Sequence, residues 1–226
     1  IHPVGVVNAV FPEREFANSQ TIPQGFGVAD FAEQGLMFEG GTVPFAGHGL
    51  FSNLYGREFV RFCERYQHTA YFGFMIRDTS EGRVRRGPHR DLPWISYQMN
   101  DQDFSLFLKG IDTLARIYLA AGAQEVLIPG LNRLITVRNE QELASFMARK
   151  HKPKDFLMSA YHPLGTARIA ADASNGVCGP DHQVFGWNGL YVMDGSSVPT
   201  SLGANPQVTI MTLAARAASK LADSLS

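Results

Sequence analysis

The sequence predicts an α+β fold, an antiparallel sheet with helices on one face. Three observations predict it. Short segments dense in β-branched and aromatic residues lie close together across turn chemistry, as in Thr69–Arg77 (TAYFGFMIR) and Trp94–Met99 (WISYQM), and near neighbours joined by tight turns pair antiparallel. A long helical pattern follows after Asn100, and another after Asn205. No dinucleotide fingerprint accompanies them. The nearest candidate, Gly47-His48-Gly49-Leu50-Phe51-Ser52, lacks the third glycine and the flanking strand and helix.

Taken in order, Ile1–Val10 (IHPVGVVNAV) alternates loosely and ends in β-branched residues, which predicts a strand. Phe11–Asn53 is rich in Gly, Pro and Phe and predicts short strands with turns at Pro23-Gln24-Gly25 and Glu39-Gly40-Gly41. Its aromatics fill a core or line an apolar pocket. Asn53–Tyr66 carries Leu54, Phe59 and Phe62 among charges and predicts an amphipathic helix. After Thr69–Arg77, the turn Asp78-Thr79-Ser80-Glu81-Gly82 leads into a second strand at Arg83–Arg86, giving a hairpin. Arg83, Arg85 and Arg86 read as a solvated face. Trp94–Met99 is a third strand.

Asn100-Asp101 then caps a helix whose broad apolar face is Phe104, Phe107, Leu108, Ile111, Leu114, Ile117, Tyr118 and Ala121, with Gly122 as its stop. Glu125–Ile128 is a short strand closed by Pro129-Gly130. Asn139 and Glu142 form a variant capping box for a helix through Lys150, which Pro153 ends. The charged, proline-containing stretch Lys150–Lys154 (KHKPK) marks a domain boundary.

At 226 residues the chain can bury a full core. With 45% hydrophobic and 18% charged residues and a net charge of −1, it carries no electrostatic footprint for nucleic acid or an anionic membrane. No apolar run approaches a membrane span. Cys63 and Cys178 lie far apart and nothing argues that they pair, and the histidines show no metal-ligand spacing. The chain begins at Ile rather than Met, which we read as a missing N-terminal part.

The C-terminal residues 161–226 hold three notable pieces. The first is Tyr161-His162-Pro163-Leu164-Gly165-Thr166. The second is the apolar run Leu190–Met193, read as a buried strand, which stops at Asp194-Gly195-Ser196. An acidic residue at the carboxyl end of such a strand is where open α/β sheets bind ligands. The third is Asn205-Pro206. Asn is a favoured N-cap and Pro a favoured first helical residue, and Val208, Met211, Ala215, Ala218 and Leu221 follow at helical spacing. A helix N-terminus there presents free N–H groups and partial positive charge. Ser196-Ser197 lacks the Gly-x-Ser-x-Gly elbow of a serine hydrolase.

HPLGT, then VFG-W-N-GLYVMDGS, then NPQVTIMTLAAR, in that order, resembles the C-terminal signature of the glucose–methanol–choline (GMC) flavin oxidoreductases. Ile1-His2-Pro3 resembles, more weakly, the start of that family's substrate domain. The resemblance implies residues 1–154 as a substrate-binding domain and 155–226 as a C-terminal segment of the FAD-binding domain. The strand and long helix of that segment would belong to a flavin-binding α/β domain whose N-terminal dinucleotide-binding half is absent here and would be a partner of this chain.

The resemblance also assigns roles. His162 is the base that removes the hydroxyl proton of an alcohol, and Asn205 hydrogen-bonds the same oxygen. Asp194 and Gly195 lie near the ribityl and pyrophosphate part of FAD, and Pro206, Gln207 and Val208 beside the flavin ring. Gly165 and Thr166 serve backbone packing. The chemistry agrees, because an alcohol oxidation needs a proton acceptor near neutrality, a donor for the developing alkoxide and a cofactor to accept hydride. The Phe-rich N-terminal region leans toward an apolar or bulky alcohol. Two other readings stand beside this one: a non-catalytic binding module without its flavin half, and a hydroxynitrile-lyase-like enzyme on the same scaffold.

Overall fold

The antiparallel sheet expected from the sequence is present. The computed structural model describes residues 1–18, 20, 24–49, 52–131 and 133–225. Its main sheet has six strands in the order β2-β3-β4-β1-β7-β8. They are β1 (Val4–Val10), β2 (Gly27–Val28), β3 (Leu36–Gly41), β4 (Thr69–Ile76), β7 (Glu125–Pro129) and β8 (Leu134–Val137), and every neighbouring pair runs antiparallel. Among the described residues, the remaining strands, β5 (Gly82–His89) and β6 (Leu92–Tyr97), pair with each other as a two-stranded sheet. The helices are α1 (Phe45–His48), α2 (Gly56–Glu64), α3 (Asp101–Ala120), α4 (Glu140–Met147) and α5 (Gln207–Leu225). By contact, the chain forms one unit of Pro3–Ile76 with Met99–Ser159 and another of Ile1–His2 with Arg77–Gln98 and Ala160–Ser226.

In the first unit, strand register decides which faces are covered. Gly5 stands opposite Phe74, and Asn8 opposite both Tyr71 and Leu127. Residues directly opposite share a face, so Gly5, Val7 and Ala9 point one way and Asn8 and Val10 the other. α3 lies on the Gly5 face, and there the glycines make room for aromatics. A Cβ on Gly5 would stand 3.0 Å from Phe107 Cζ, and one on Gly110 would stand 2.5 Å from Phe74. α4 joins α3 through the rings of Phe107, Phe156 and Phe146. On the opposite face Phe62 of α2 packs with Val10 and Leu127. Helices thus pack against the antiparallel sheet, with α3 on the Gly5 face and α2 adding cover over Val10 and Leu127 on the other.

Local chemistry sets both ends of α3 and the start of α4 as the sequence indicated, while α4 stops at Met147, short of the expected Lys150. The Asn100 side chain accepts from Asp103 N at 2.8 Å, and Asn139 accepts from Glu142 N at 2.8 Å. Glu142 reaches back to Arg138 N at 2.9 Å, one residue beyond the usual capping box. Gly122, at φ 89°, closes α3 with the paired bonds of a Schellman motif, Gly122 N to Leu119 O and Ala123 N to Tyr118 O, both 3.0 Å. Phe104, Phe107, Ile111, Leu114 and Tyr118 are buried as expected, while Ile117 is half exposed.

Several expectations are corrected. Glu39-Gly40-Gly41 is not a turn but the end of β3, paired with β4. Gly40 is there because the Phe72 ring lies against it, 2.9 Å from where a Cβ would stand. The turn read at Pro23-Gln24-Gly25 falls partly outside the described residues, as does the Gly47–Ser52 stretch. Thr69–Arg77 and Arg83–Arg86 do not form a hairpin together, because Asp78 turns inward as a hydrogen-bond acceptor and β5 pairs with β6 instead. β8 (LITV), four residues with no alternation, carries no strand signal of its own.

In the second unit, Leu190–Met193 is not a buried strand. Among the described residues its pairing amounts to one bridge, Gln183 to Tyr191, with Val184 N donating to Leu190 O at 2.8 Å and Val192 N to His182 O at 3.0 Å. Its side chains are half-buried or exposed, because no strand of this unit lies alongside to extend a ladder. α5 forms where expected, but it packs through a different stripe. Ala217 is buried and Ile210, Leu213, Ala214 and Leu221 are half-buried, whereas Val208 and Met211 are exposed. Both stripes are apolar at helical spacing, so periodicity could not choose between them.

Candidate active site

The three C-terminal pieces meet in the second unit. The stretch after His162 runs beside the Asp194–Ser197 turn, with Gly165 N donating to Gly195 O (3.4 Å), Ala167 N to Ser196 O (2.9 Å) and Ile169 N to Ser197 O (2.9 Å). Gly165 takes a left-handed conformation, φ 79°, that a side chain would disfavour. Gly195 is wedged between the first and third pieces. A Cβ there would stand 3.1 Å from Ile210 Cδ1 of α5, 3.2 Å from Pro163 O and 3.4 Å from Leu164 Cδ2.

Asp194 caps this turn through its own side chain, accepting from Ser196 N at 2.8 Å and Ser196 Oγ at 2.5 Å. Those bonds hold its carboxyl below the usual carboxylate range, so it is an exposed anion at neutral pH. α5 starts at Gln207. Ile210 N donates to the carbonyl of the buried Pro206 at 2.8 Å, and Asn205, Gln207 and Val208 are exposed at the helix N-terminus.

His162, half-buried, does not stand alone. Its Nδ1 lies 3.0 Å from Nδ1 of His2, with the rings edge-on at 79° and centroids 5.0 Å apart. His2 is wholly buried. Its Nε2 accepts from two main-chain donors, Leu202 N at 3.0 Å and Gly203 N at 2.8 Å. Its own N–H donates to Asp78 Oδ1 at 3.1 Å, and Tyr97 Oη donates to Asp78 Oδ2 at 3.0 Å. Burial pushes the His2 pKa down to about 4 and lowers that of His162 as well, so both rings are neutral at pH 7. His2 adopts φ 49°. That conformation is uncommon for any residue with a Cβ and is disfavoured before proline.

The sequence reading assigned no role to His2. The available signal was the second His-Pro dipeptide, His2-Pro3, matching His162-Pro163, but nothing local says that the two meet. The 480 Å³ cavity of this unit is lined by Arg77, Asp78, Tyr97, Gly165 and Arg168 among others, and neither His162 nor Asn205 lines it.

The residues at the α5 N-terminus fit a flavin. The first turn carries no acidic side chain, its leading residues are exposed, and the positive end of the helix suits a ring edge that gains negative charge on reduction. Gly195 permits the close packing that sets this turn against the helix. Among the described residues no helix is long and apolar enough to cross a membrane, and no group of three or more His, Cys, Asp or Glu is placed to hold a metal ion. Cys63 and Cys178 are both free thiols.

Comparison with known proteins bears on the family of the chain. The family model described as GMC oxidoreductase matches residues 78–214. An uncharacterised GMC-type oxidoreductase of Mycobacterium tuberculosis is 30% identical over 95% of this chain and 33% of its own length. A long-chain-alcohol oxidase of Arabidopsis thaliana is 24% identical over 100% of this chain and 32% of its own. The chain thus spans about a third of the length of these curated relatives. Among solved structures, pyridoxine 4-oxidase from Mesorbium loti superposes with a TM-score of 0.64 at 16% identity, covering 97% of this chain and 42% of that one.

Proposed function

We propose, since this chain belongs to the GMC oxidoreductase family, that it is the C-terminal portion of an FAD-dependent enzyme that oxidises an alcohol CH–OH group. The observation that supports the reading is the meeting of the three pieces: the residues just after His162 run beside the Asp194–Ser197 turn, and Gly195 of that turn packs against Pro163 and against Ile210 of α5. FAD, when bound, supplies the hydride acceptor that no side chain can provide. Asp194, Gly195, Pro206, Gln207 and Val208 would hold it, the last three beside its ring. The long-chain-alcohol oxidase relatives favour an apolar or bulky alcohol as substrate.

The substrate hydroxyl would lie between His162 and Asn205. Asn205, exposed beside the start of α5, offers an amide that holds the oxygen. A neutral imidazole at His162 suits two roles there. As a base it would take the hydroxyl proton, the role expected from the sequence. As a donor it would hold the oxygen while negative charge grows on it. The hydrogen-bond chain through His2 favours the donor role.

The test is made on the complete protein. Under anaerobic conditions an alcohol substrate should bleach the bound flavin, and His162→Ala should slow that bleaching by roughly 10²–10⁴. A His162→Ala protein that reduces its flavin at the normal rate would remove His162 from the site. A complete protein that binds no flavin favours the binding-module reading. Cleavage of a cyanohydrin without flavin reduction favours the lyase.

A further inference from the structure

We propose that His2 is a positioning residue that fixes His162 in one tautomer, with the proton on Nε2, so that His162 meets a substrate oxygen as a hydrogen-bond donor. The inference rests on the reading of His162 as the residue facing the hydroxyl. It extends that reading to a residue 160 positions away in the chain.

The argument is a count of protons along one chain of hydrogen bonds. Leu202 N and Gly203 N are main-chain donors that carry hydrogen under all ordinary conditions, and both address His2 Nε2, at 3.0 and 2.8 Å. A ring nitrogen that accepts carries no proton, so the single proton of neutral His2 sits on Nδ1. That Nδ1 lies 3.0 Å from His162 Nδ1. Two N–H groups cannot face each other at that distance, so His162 Nδ1 is the acceptor and holds a lone pair. Neutral His162 then has one remaining place for its proton, Nε2. The order is main-chain N–H to His2 Nε2, His2 Nδ1–H to His162 Nδ1, and His162 Nε2–H outward.

The opposite order would put the Nε2–H of the buried His2 against two N–H donors of the half-buried Leu202 and Gly203, leaving all three without an acceptor there. Donors facing one another lose their hydrogen bonds and repel, which holds the chain in one direction. The fold also commits backbone to this arrangement. His2 stands at φ 49°, anchored by its N–H to Asp78, and Gly203 at φ 77° turns its N–H toward the ring. A conformation of that kind persists where the surroundings over-determine it.

The consequence concerns the hydroxyl. With Nε2 protonated, His162 donates to the substrate oxygen and has no lone pair there to take the hydroxyl proton. FAD, when bound, would supply the acceptor for the two electrons and the hydrogen of the C–H bond, and the hydroxyl proton would leave to solvent water as the carbon–oxygen bond becomes double. His162 Nε2–H and Asn205 hold the oxygen throughout.

The experiment uses the complete flavoprotein labelled with ¹⁵N-histidine, with the His162 signals identified by their loss in His162→Ala. At neutral pH wild-type His162 should show a protonated Nε2 and a bare Nδ1. In His2→Ala the ring loses its fixed donor, and its signals should move toward the average of both tautomers. In His2→Asn, where the amide nitrogen takes the place of Nδ1, the Nε2–H form should return, and flavin reduction by alcohol should recover with it. A wild-type His162 with a bare Nε2 overturns the proposal, and that reading needs no variant to fold. So does a His2→Ala protein whose His162 tautomer is unchanged. If His162→Ala turns over normally while the tautomer is as stated, the functional reading fails and the positioning by His2 stands.

Discussion

The main-chain N–H of Gly203 points at His2 Nε2 from 2.8 Å, and Gly203 holds that direction at φ 77°. A side chain at Gly203 would be strained by the left-handed backbone and would stand 3.1 Å from both Cβ and Cδ of Arg77. Gly203→Ala should therefore lower stability by roughly 1–3 kcal/mol and turn the N–H away from His2. Thermal melting reads the first effect, and the histidine ¹⁵N spectrum reads the second. Unchanged melting together with an unchanged His162 spectrum would show that the glycine is not needed there.

Acid should destabilise the fold through His2. Its folded pKa is lowered to about 4, while an unfolded histidine titrates near 6.5. Between those values the unfolded chain binds a proton that the folded chain refuses, so stability rises with pH across the window and is lost as pH falls from about 6.5 toward 4. The full contribution is about 3 kcal/mol at roughly 1.4 kcal/mol per pH unit, with the lowered His162 adding in the same direction. Denaturant midpoints at pH 7 and pH 4.5 measure it. The His2→Asn protein, with no titrating ring at this position, should show a shallower slope. An equal slope in both proteins would assign the acid sensitivity to other groups.

Phe62 is the anchor of the second covered face. It is fully buried, clusters with Val10 and Leu127 and stacks on His48 at 3.8 Å and 7°. His48 in turn bonds the Phe62 carbonyl at 3.1 Å and the Tyr71 hydroxyl, and burial lowers its pKa. Phe62→Ala should cost about 3–5 kcal/mol, read as a shift in denaturant midpoint. A cost under 1 kcal/mol would mean that α2 contributes little to the sheet it covers.

Much of the fold was legible because its signals are local. Asn100, Gly122 and Asn139 act within one turn of their own position, and the structure uses all three as their residue types suggest. Strand partnership was less legible. Thr69–Arg77 and Arg83–Arg86 are both good strands next to a turn, yet Asp78 is drawn inward by the His2 main chain and β5 finds β6 instead. Gly40 read as a turn because glycine marks turns, whereas the reason for it is the Phe72 ring of a neighbouring strand. The apolar stripe of α5 was misplaced for a related reason: two stripes have the same period, and what packs against them lies elsewhere in the chain.

The sequence by itself determined the class of fold, the N-caps of α3 and α4 and the stop of α3, and the three C-terminal motifs that resemble one family in their order. Those features depend on residue type and spacing, which a sequence states directly. The tertiary structure alone decided that β1 has two covered faces, that Leu190–Met193 pairs through a single bridge, and that His2 meets His162. The last is a contact between residues 160 positions apart in the chain. Nothing in their local sequence encodes the distance, and the direction of protons between them depends on two main-chain amides at Leu202 and Gly203 that no side-chain pattern announces.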